Sequence, residues 1–158
     1  MSLFCFRVAS RDMFYIGGEY MEGKTIIFVD GENISVNYAE RIITMGNRLG
    51  AISESRVYHR RRDKATRAWS EKAKACGYKD ISVYGPPAKN KIDHIMQAEI
   101  RQYLKRKDVG SVCVVTSDGG FRCLAVDAKA MGKELCFIAG KKPSKKLREA
   151  GARFLQLC

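Results

Sequence analysis

From residue 24 onward, short apolar runs alternate along the chain with longer stretches whose apolar residues recur at helical spacing. Runs rich in β-branched residues predict strands, and an apolar residue every three or four positions predicts a helix. The predicted strands cover residues 25–29, 55–59, 81–84, 111–116, 135–139 and 153–157, and the predicted helices cover 34–49, 63–76, 93–107, 121–131 and 144–150. Strands that are separated by helices pair in parallel through right-handed crossovers. The pattern therefore predicts an α/β fold with three layers, α/β/α, around a mainly parallel central sheet.

The alternation leaves residues 1–23 outside the predicted domain, which spans residues 24–158. Charged residues interrupt the apolar clusters of this first segment, so it does not fit a signal peptide. We interpret it as an N-terminal arm that packs against or pairs the domain. We interpret Gly85-Pro86-Pro87, which ends a predicted strand, as a loop inside the domain and not as a linker.

The chain of 158 residues carries a large excess of positive charge, with a formal net charge of +12 at pH 7. An excess of this size favours a polyanionic partner, most often a nucleic acid. A basic surface that serves only solubility is the alternative. No apolar run reaches the length of a membrane span, so we expect no membrane partner.

The six cysteines include no Cys-x-x-Cys pair, and the chain has only two histidines. Zinc-binding spacings are therefore absent. Cys113 and Cys136 fall inside predicted strands, where a thiol packs as a small apolar side chain. Free cysteines of this kind are typical of a reducing compartment, and we expect a cytoplasmic protein.

Three aspartates lie where a predicted strand ends or a predicted helix begins. Asp30 follows the apolar run 26–29, Asp118 follows the strand 111–116, and Asp93 begins the helix before that strand. Because the carboxyl ends of parallel strands meet at one edge of a sheet, we expect these carboxylates to approach each other. Clustered carboxylates repel unless a cation lies between them, and their oxygens suit Mg²⁺ or Mn²⁺. The pattern predicts metal-assisted phosphodiester hydrolysis.

Glu99 is a fourth candidate catalytic acid, six residues after Asp93 on the same predicted helix. Six residues turn a helix by about 600°, so the two side chains do not share a face closely. We expect one of them to contact the metal and the other a water or a base. Each aspartate also has a simpler explanation, because Asp30 could only turn the chain and the other two could cap helices.

The motifs around these acids resemble those of NYN domains, in the LabA-like branch of the PIN-like nuclease superfamily. Phe28-Val29-Asp30-Gly31-Glu32-Asn33-Ile34 resembles the opening motif, and Lys89-Asn90-Lys91-Ile92-Asp93 with Glu99 resembles the second. Val114-Val115-Thr116-Ser117-Asp118-Gly119-Gly120-Phe121 resembles the third motif, and Gly132-Lys133-Glu134-Leu135 resembles the Gly-Lys start of a later strand. The segment 144–157 is similar to the closing Ser-x-x-Leu stretch. The motifs follow the family order over about residues 25–157.

The resemblance implies a PIN-like fold and an endoribonuclease that depends on Mg²⁺ or Mn²⁺, and it allows a homodimer. It implies that Asp30, Asp93 and Asp118 hold the metal. Asn33 would orient a water or a phosphate oxygen, and Ser117 would support the turn at Asp118. One position departs from the family pattern, because the second Asp of the third motif is Gly120 here. Glu99 or Glu32 could replace the missing acid.

Basic residues are concentrated in two segments, 56–74 and 141–148, which leave predicted strands near the acidic edge. We expect loops of this kind to bind the phosphate backbone of single-stranded or structured RNA. A solvated helix face is the alternative for the second segment. The candidate substrate-binding residues are Asn33, Arg60, Arg61, Arg62, Lys64, Lys89, Asn90, Ser117, Lys141 and Lys142.

Three aromatic residues near these segments, Tyr58, Trp69 and Tyr84, could stack on unpaired bases. Packing in the core is the favoured interpretation for Tyr58 and Trp69, because Tyr58 lies in a predicted strand and Trp69 in the middle of a helix.

Three functions compete at this level. The first is the metal-dependent endoribonuclease. The second is an RNA-binding module that is catalytically inactive because Gly120 replaces one acid of the family pattern. The third is a phosphatase of the haloacid-dehalogenase type, which also starts from a strand-end Asp. That chemistry needs an Asp two residues further on, where this chain has Glu32. No glycine-rich loop of the Walker or dinucleotide-binding kind is present.

Overall fold

The structure is a computed structural model that describes residues 4–8, 11–16, 19–60, 64–83 and 91–157, with side chains described in 23–60, 67–83 and 91–157. Three short strands, β1 (Phe4–Val8), β2 (Arg11–Ile16) and β3 (Glu19–Glu22), form an antiparallel sheet of their own. The sequence pattern did not indicate strands in this segment.

A six-stranded sheet follows, and all its neighbouring strands pair in parallel. Its strands are β4 (Lys24–Asp30), β5 (Ile52–Arg60), β6 (Lys79–Val83), β7 (Val109–Val115), β8 (Glu134–Ala139) and β9 (Arg153–Gln156). The helices are α1 (Ala39–Leu49), α2 (Lys64–Cys76), α3 (Lys91–Leu104), α4 (Cys123–Ala130) and α5 (Lys145–Arg148). The α/β/α architecture with a parallel sheet is confirmed, and each predicted strand and helix has a counterpart.

The first predicted helix starts later than the pattern indicated. The backbone N–H groups of Asn33 and Ile34 both donate to the Asp30 carbonyl, so the chain turns immediately after β4. Ser35 then caps a short 3₁₀ turn, Val36–Tyr38, with its hydroxyl 3.3 Å from the Asn37 nitrogen. The apolar periodicity extends through both turns, which is why it could not locate the boundary.

Two apolar clusters lie on opposite faces of the sheet, because successive strand residues point to opposite sides. Ile26 and Phe28 face α3 and α4, whereas Ile27 and Val29 face α1 and α2. Tyr58 belongs to the first cluster and is fully buried. Helices on both faces bury the sheet, as parallel sheets require.

Trp69 packs in the second cluster, where its indole N–H donates to the Ile34 carbonyl over 3.0 Å. The core interpretation of Tyr58 and Trp69 is confirmed, so neither is available for base stacking. Cys113 and Cys136 are also buried, as expected. Tyr84 and the Gly85-Pro86-Pro87 sequence lie outside the described residues.

The strand order of the sheet is β6-β5-β4-β7-β8-β9. Successive strands of the chain are added on one side of β4 as far as β6 and then on its other side from β7 onward, so the order reverses between β4 and β7. In open parallel sheets, ligands bind beyond the carboxyl ends of the strands at such a reversal. The loops after Asp30 and after Val115 both leave the sheet there. Among the described helices, none is both long enough and apolar enough to cross a membrane.

Candidate active site

Asp30 is the last residue of β4 and is fully buried. It has the strand parity of Ile26 and Phe28, so its side chain leaves the sheet toward α3. Its Oδ2 accepts hydrogen bonds from Asn33 Nδ2 at 2.6 Å and from Thr116 Oγ1 at 3.1 Å. Its Oδ1 is buried and accepts no hydrogen bond from the described residues. Burial raises the pKa of Asp30, and the bonds from Asn33, Thr116 and the Glu32 backbone N–H only partly oppose this.

The turn after Asp30 depends on a close approach to β5. Gly31 N–H donates to the Tyr58 carbonyl at 2.8 Å. A Cβ added at Gly31 would lie 2.7 Å from that carbonyl oxygen, which a side chain cannot tolerate without displacing the backbone. The glycine therefore keeps the Asp30 turn in contact with the end of β5.

Thr116 follows β7 and connects the two central strands. Its hydroxyl donates to Asp30 and accepts from the Asp118 backbone N–H at 3.2 Å. Ser117 Oγ accepts from Gly140 N–H at 3.0 Å and so fixes the same loop to the end of β8, which supports the turn at Asp118. Sequence reasoning missed Thr116. Its side chain lies on the same face of the sheet as those of Val114 and Val112, two and four residues earlier, and therefore points toward Asp30.

Asp118 uses Oδ1 to accept the Gly120 N–H at 2.9 Å, and it thereby caps the 3₁₀ turn Gly119–Phe121. The capping interpretation is thus correct for this residue, but capping occupies only one of its two oxygens. Asp93 does not cap α3, because it lies in the first turn within the helix.

Asp93 is half-buried, and its carboxyl group lies close enough to the other two aspartates to interact with both. Burial, a hydrogen bond with Asp118 and the negative charges of Asp30, Asp118 and Glu32 raise the pKa of Asp93 to about 7. A hydrogen bond between two carboxyl groups requires a proton on one of them. Asp30, Asp93 and Asp118, which lie far apart in the sequence, therefore meet at one edge of the sheet.

Glu99 lies elsewhere. Its carboxylate accepts from Arg56 Nη2 at 3.0 Å and is also hydrogen-bonded to the Tyr58 hydroxyl. The rise along α3 places it about 9 Å beyond Asp93. Glu32 is the acid that joins the cluster, since its charge acts on Asp93, and its Oε1 pairs with Arg60 Nε at 2.9 Å.

The described residues contain no three His, Cys, Asp or Glu side chains that could hold a metal ion as they stand. The carboxylates are partly engaged elsewhere, Asp118 with Gly120 and Asp30 with Asn33 and Thr116. The donor set nevertheless fits a hard cation, because it offers only oxygen atoms and the carboxyl groups repel each other. In addition, one buried oxygen, Asp30 Oδ1, has no partner within the described ranges. Mg²⁺ keeps several of its waters and so needs few protein ligands.

Part of the predicted basic surface is neutralised. Arg56 is buried and pairs with Glu54 at 2.7 Å and with Glu99. Lys72 pairs with Glu40 at 2.8 Å. These two residues do not form the expected phosphate-binding track, because a charge that pairs inside the protein attracts a distant phosphate only weakly.

The second basic segment does reach the acidic edge. Lys141 and Lys142 are exposed after β8, and Lys142 has a positive φ of 53°. Ser144 N–H donates to the Ser117 carbonyl at 3.1 Å, which holds this loop against the loop that carries Asp118. Arg61, Arg62, Lys89 and Asn90 lie outside the described residues, as does the side chain of Lys64.

The strand order and the aspartates beside its reversal define a PIN-like α/β/α domain. The family model of the NYN domain matches residues 24–158, and the chain belongs to this family. NYN domains are nuclease-like domains of the PIN-like superfamily that act on RNA. No curated protein shows significant similarity to the chain.

Proposed function

We propose that this protein is a metal-dependent endoribonuclease of the LabA-like branch, which hydrolyses RNA phosphodiester bonds with Mg²⁺ or Mn²⁺. The observation that carries the proposal is the Oδ1 atom of Asp30, which is buried beside Asp93 and Asp118 and has no hydrogen-bond partner in the part of the chain that the structure describes. Leaving a charged oxygen in this condition is costly, and a bound cation removes the cost.

Asp30, Asp93 and Asp118 would hold the metal. When bound there, a divalent cation would make a water molecule a better nucleophile and would neutralise charge that grows on the phosphate. Thr116 and Asn33 fix Asp30 through their hydrogen bonds to its other oxygen. Asn33 is exposed, so its amide is also accessible to a water or a phosphate oxygen. We assign Glu99 a supporting role, since Arg56 and Tyr58 engage its carboxylate.

RNA would cross the acidic edge between two basic loops. Lys141 and Lys142 lie on one side, and Arg60, which leaves β5 next to the Asp30 turn, lies on the other. We include Arg61, Arg62, Lys64, Lys89 and Asn90 in the proposed substrate surface on the sequence pattern alone. Contacts of this kind neutralise phosphates without reading bases, so binding should weaken with salt and show little sequence preference.

A second candidate is an RNA-binding module that does not cleave. Gly120 favours it, because one acid of the family pattern is missing, and so does the lack of a preassembled metal cluster among the described side chains. The two candidates share the basic surface and differ only in metal-dependent turnover.

Cleavage of a labelled single-stranded RNA across a Mn²⁺ titration, with and without EDTA, tests the proposal. We expect cleavage that EDTA abolishes and that Asp30→Asn reduces at least about a hundredfold, since a metal supplies several kcal/mol of charge stabilisation. Asp108→Asn is the matched control, because Asp108 is a surface residue that pairs with Arg106. Cleavage at the wild-type rate in Asp30→Asn would refute the proposal. Salt-sensitive RNA binding without cleavage at any Mn²⁺ concentration would favour the second candidate.

A further inference from the structure

Position 120 lies directly beside the acidic cluster. A Cβ added at Gly120 would be 3.3 Å from Asp118 Oδ1 and 3.8 Å from its Cγ, so a side chain here would stand next to the Asp118 carboxylate. Gly120 supplies only its backbone N–H, which donates to that carboxylate. The cluster therefore has one acid fewer than the family pattern on the Asp118 side.

Glu99 is poorly placed to make up for this. It is held on the sheet by Arg56, a buried side chain, and by the Tyr58 hydroxyl. Moving Glu99 toward Asp93 would leave the buried guanidinium with one carboxylate fewer, which is strongly unfavourable. The negative charges that act on Asp93 come from Asp30, Asp118 and Glu32.

Glu32, in the turn after β4, is an acid that can make up for the one missing at position 120. Its backbone N–H bonds to the Asp30 carboxylate, which places the residue next to that buried group. Its own carboxylate is part-exposed and pairs with Arg60, whose side chain is 39% exposed. Ion pairs between exposed side chains are weak, so a divalent cation can compete with Arg60 for Glu32.

We infer that Glu32 is the fourth acid of the metal site, directly or through a metal-bound water, and takes over the role of the acid that position 120 lacks. This role rests on the proposed metal-dependent function. When Glu32 binds the cation, Arg60 loses this ion-pair partner, and its guanidinium can then bind an RNA phosphate at the rim of the site.

Binding of Mn²⁺ to the full chain without RNA tests this role, with free Mn²⁺ measured by electron paramagnetic resonance. We expect Glu32→Gln to weaken Mn²⁺ binding about tenfold or more, the loss typical of groups that support a metal. Glu40→Gln is the matched control, because it breaks another exposed ion pair, the one with Lys72, on the opposite face of the sheet. The control should change the affinity less than about twofold.

Rescue gives the sharper result. Gly120→Asp, added to Glu32→Gln, should restore most of the Mn²⁺ affinity, because it returns a carboxylate to the Asp118 side. Failure of this rescue would overturn the equivalence of the two positions. Thermal unfolding of each variant in EDTA verifies that the fold is retained.

Asp30→Asn separates this role from the proposed function. If Asp30→Asn abolishes Mn²⁺ binding while Glu32→Gln binds like the wild type, the role of Glu32 is refuted and the metal site remains. If Asp30→Asn also binds like the wild type, the metal site itself is refuted.

Discussion

Asp30→Asn should make the metal-free protein more stable while it abolishes metal binding. Asp30 is fully buried, and its Oδ1 has no partner among the described residues. An asparagine keeps one acceptor for the donors Asn33 and Thr116, and it replaces the other carboxylate oxygen with an uncharged N–H group. An ionised group that is buried without a full set of partners costs at least about 1–3 kcal/mol, and the neutral amide does not carry this charge, so we expect a gain of about that size in the free energy of unfolding.

For a domain of this length, a gain of 1–3 kcal/mol raises Tm by about 3–10 °C. Circular dichroism during thermal unfolding in EDTA at pH 8 measures it. Burial raises the folded-state pKa of Asp30 above its ordinary value, so the penalty is present only at high pH. The difference between variant and wild type should therefore shrink as the pH falls toward 4, because the wild-type carboxyl group then takes up a proton.

Mn²⁺ should reverse the order of stability. At a metal concentration of 1,000 times Kd, the wild type gains about 4.1 kcal/mol from binding, which exceeds the expected advantage of Asp30→Asn, whereas the variant gains little. Asp108→Asn serves as the control of opposite sign, because the hydrogen bond from Arg106 lowers the pKa of Asp108 to about 2, and neutralising it should reduce stability. A variant at Asp30 that is less stable than the wild type in EDTA, yet binds Mn²⁺ normally, would refute the reasoning.

Two further predictions concern Asp93 and Arg56. Because the pKa of Asp93 is about 7, a metal must displace its proton at lower pH, so Mn²⁺ affinity should rise up to about tenfold per unit as the pH approaches 7 and then level off. Binding titrations from pH 5.5 to 8.5 measure this, and a flat profile would contradict it. Arg56→Met should lower the free energy of unfolding by about 3 kcal/mol, the low end for a broken buried pair, because Glu54 and Glu99 are partly exposed. Urea unfolding measures this loss, and a loss no larger than that of the exposed Lys72→Met control would contradict it.

Much of the fold could be predicted from local patterns. Alternation and helical spacing identified the strands and helices of the parallel sheet, because burial on one or both faces imposes a period on apolar residues. The late start of α1 escaped this reasoning, since the turn after Asp30 depends on contacts with Tyr58 in another strand. The antiparallel strands β1–β3 escaped it as well.

The candidate site also contains residues that the sequence predicted and one that it did not. Asp30, Asp93 and Asp118 could be proposed because strand ends of one sheet share an edge. Thr116 was overlooked, since its hydroxyl matters only through its contact with Asp30, 86 residues away in the chain.

By itself, the sequence determined the parallel α/β/α architecture, the family and the edge at which acids gather, because these follow from periodic burial and from motifs with a fixed order. Only the tertiary structure decided which charges remain available there. Glu99 and Arg56 neutralise each other on the sheet, whereas Glu32 lies beside the buried carboxylate of Asp30. The physical reason is that the pairing of an ionic side chain depends on distances between residues far apart in the chain, and local sequence patterns do not contain these distances.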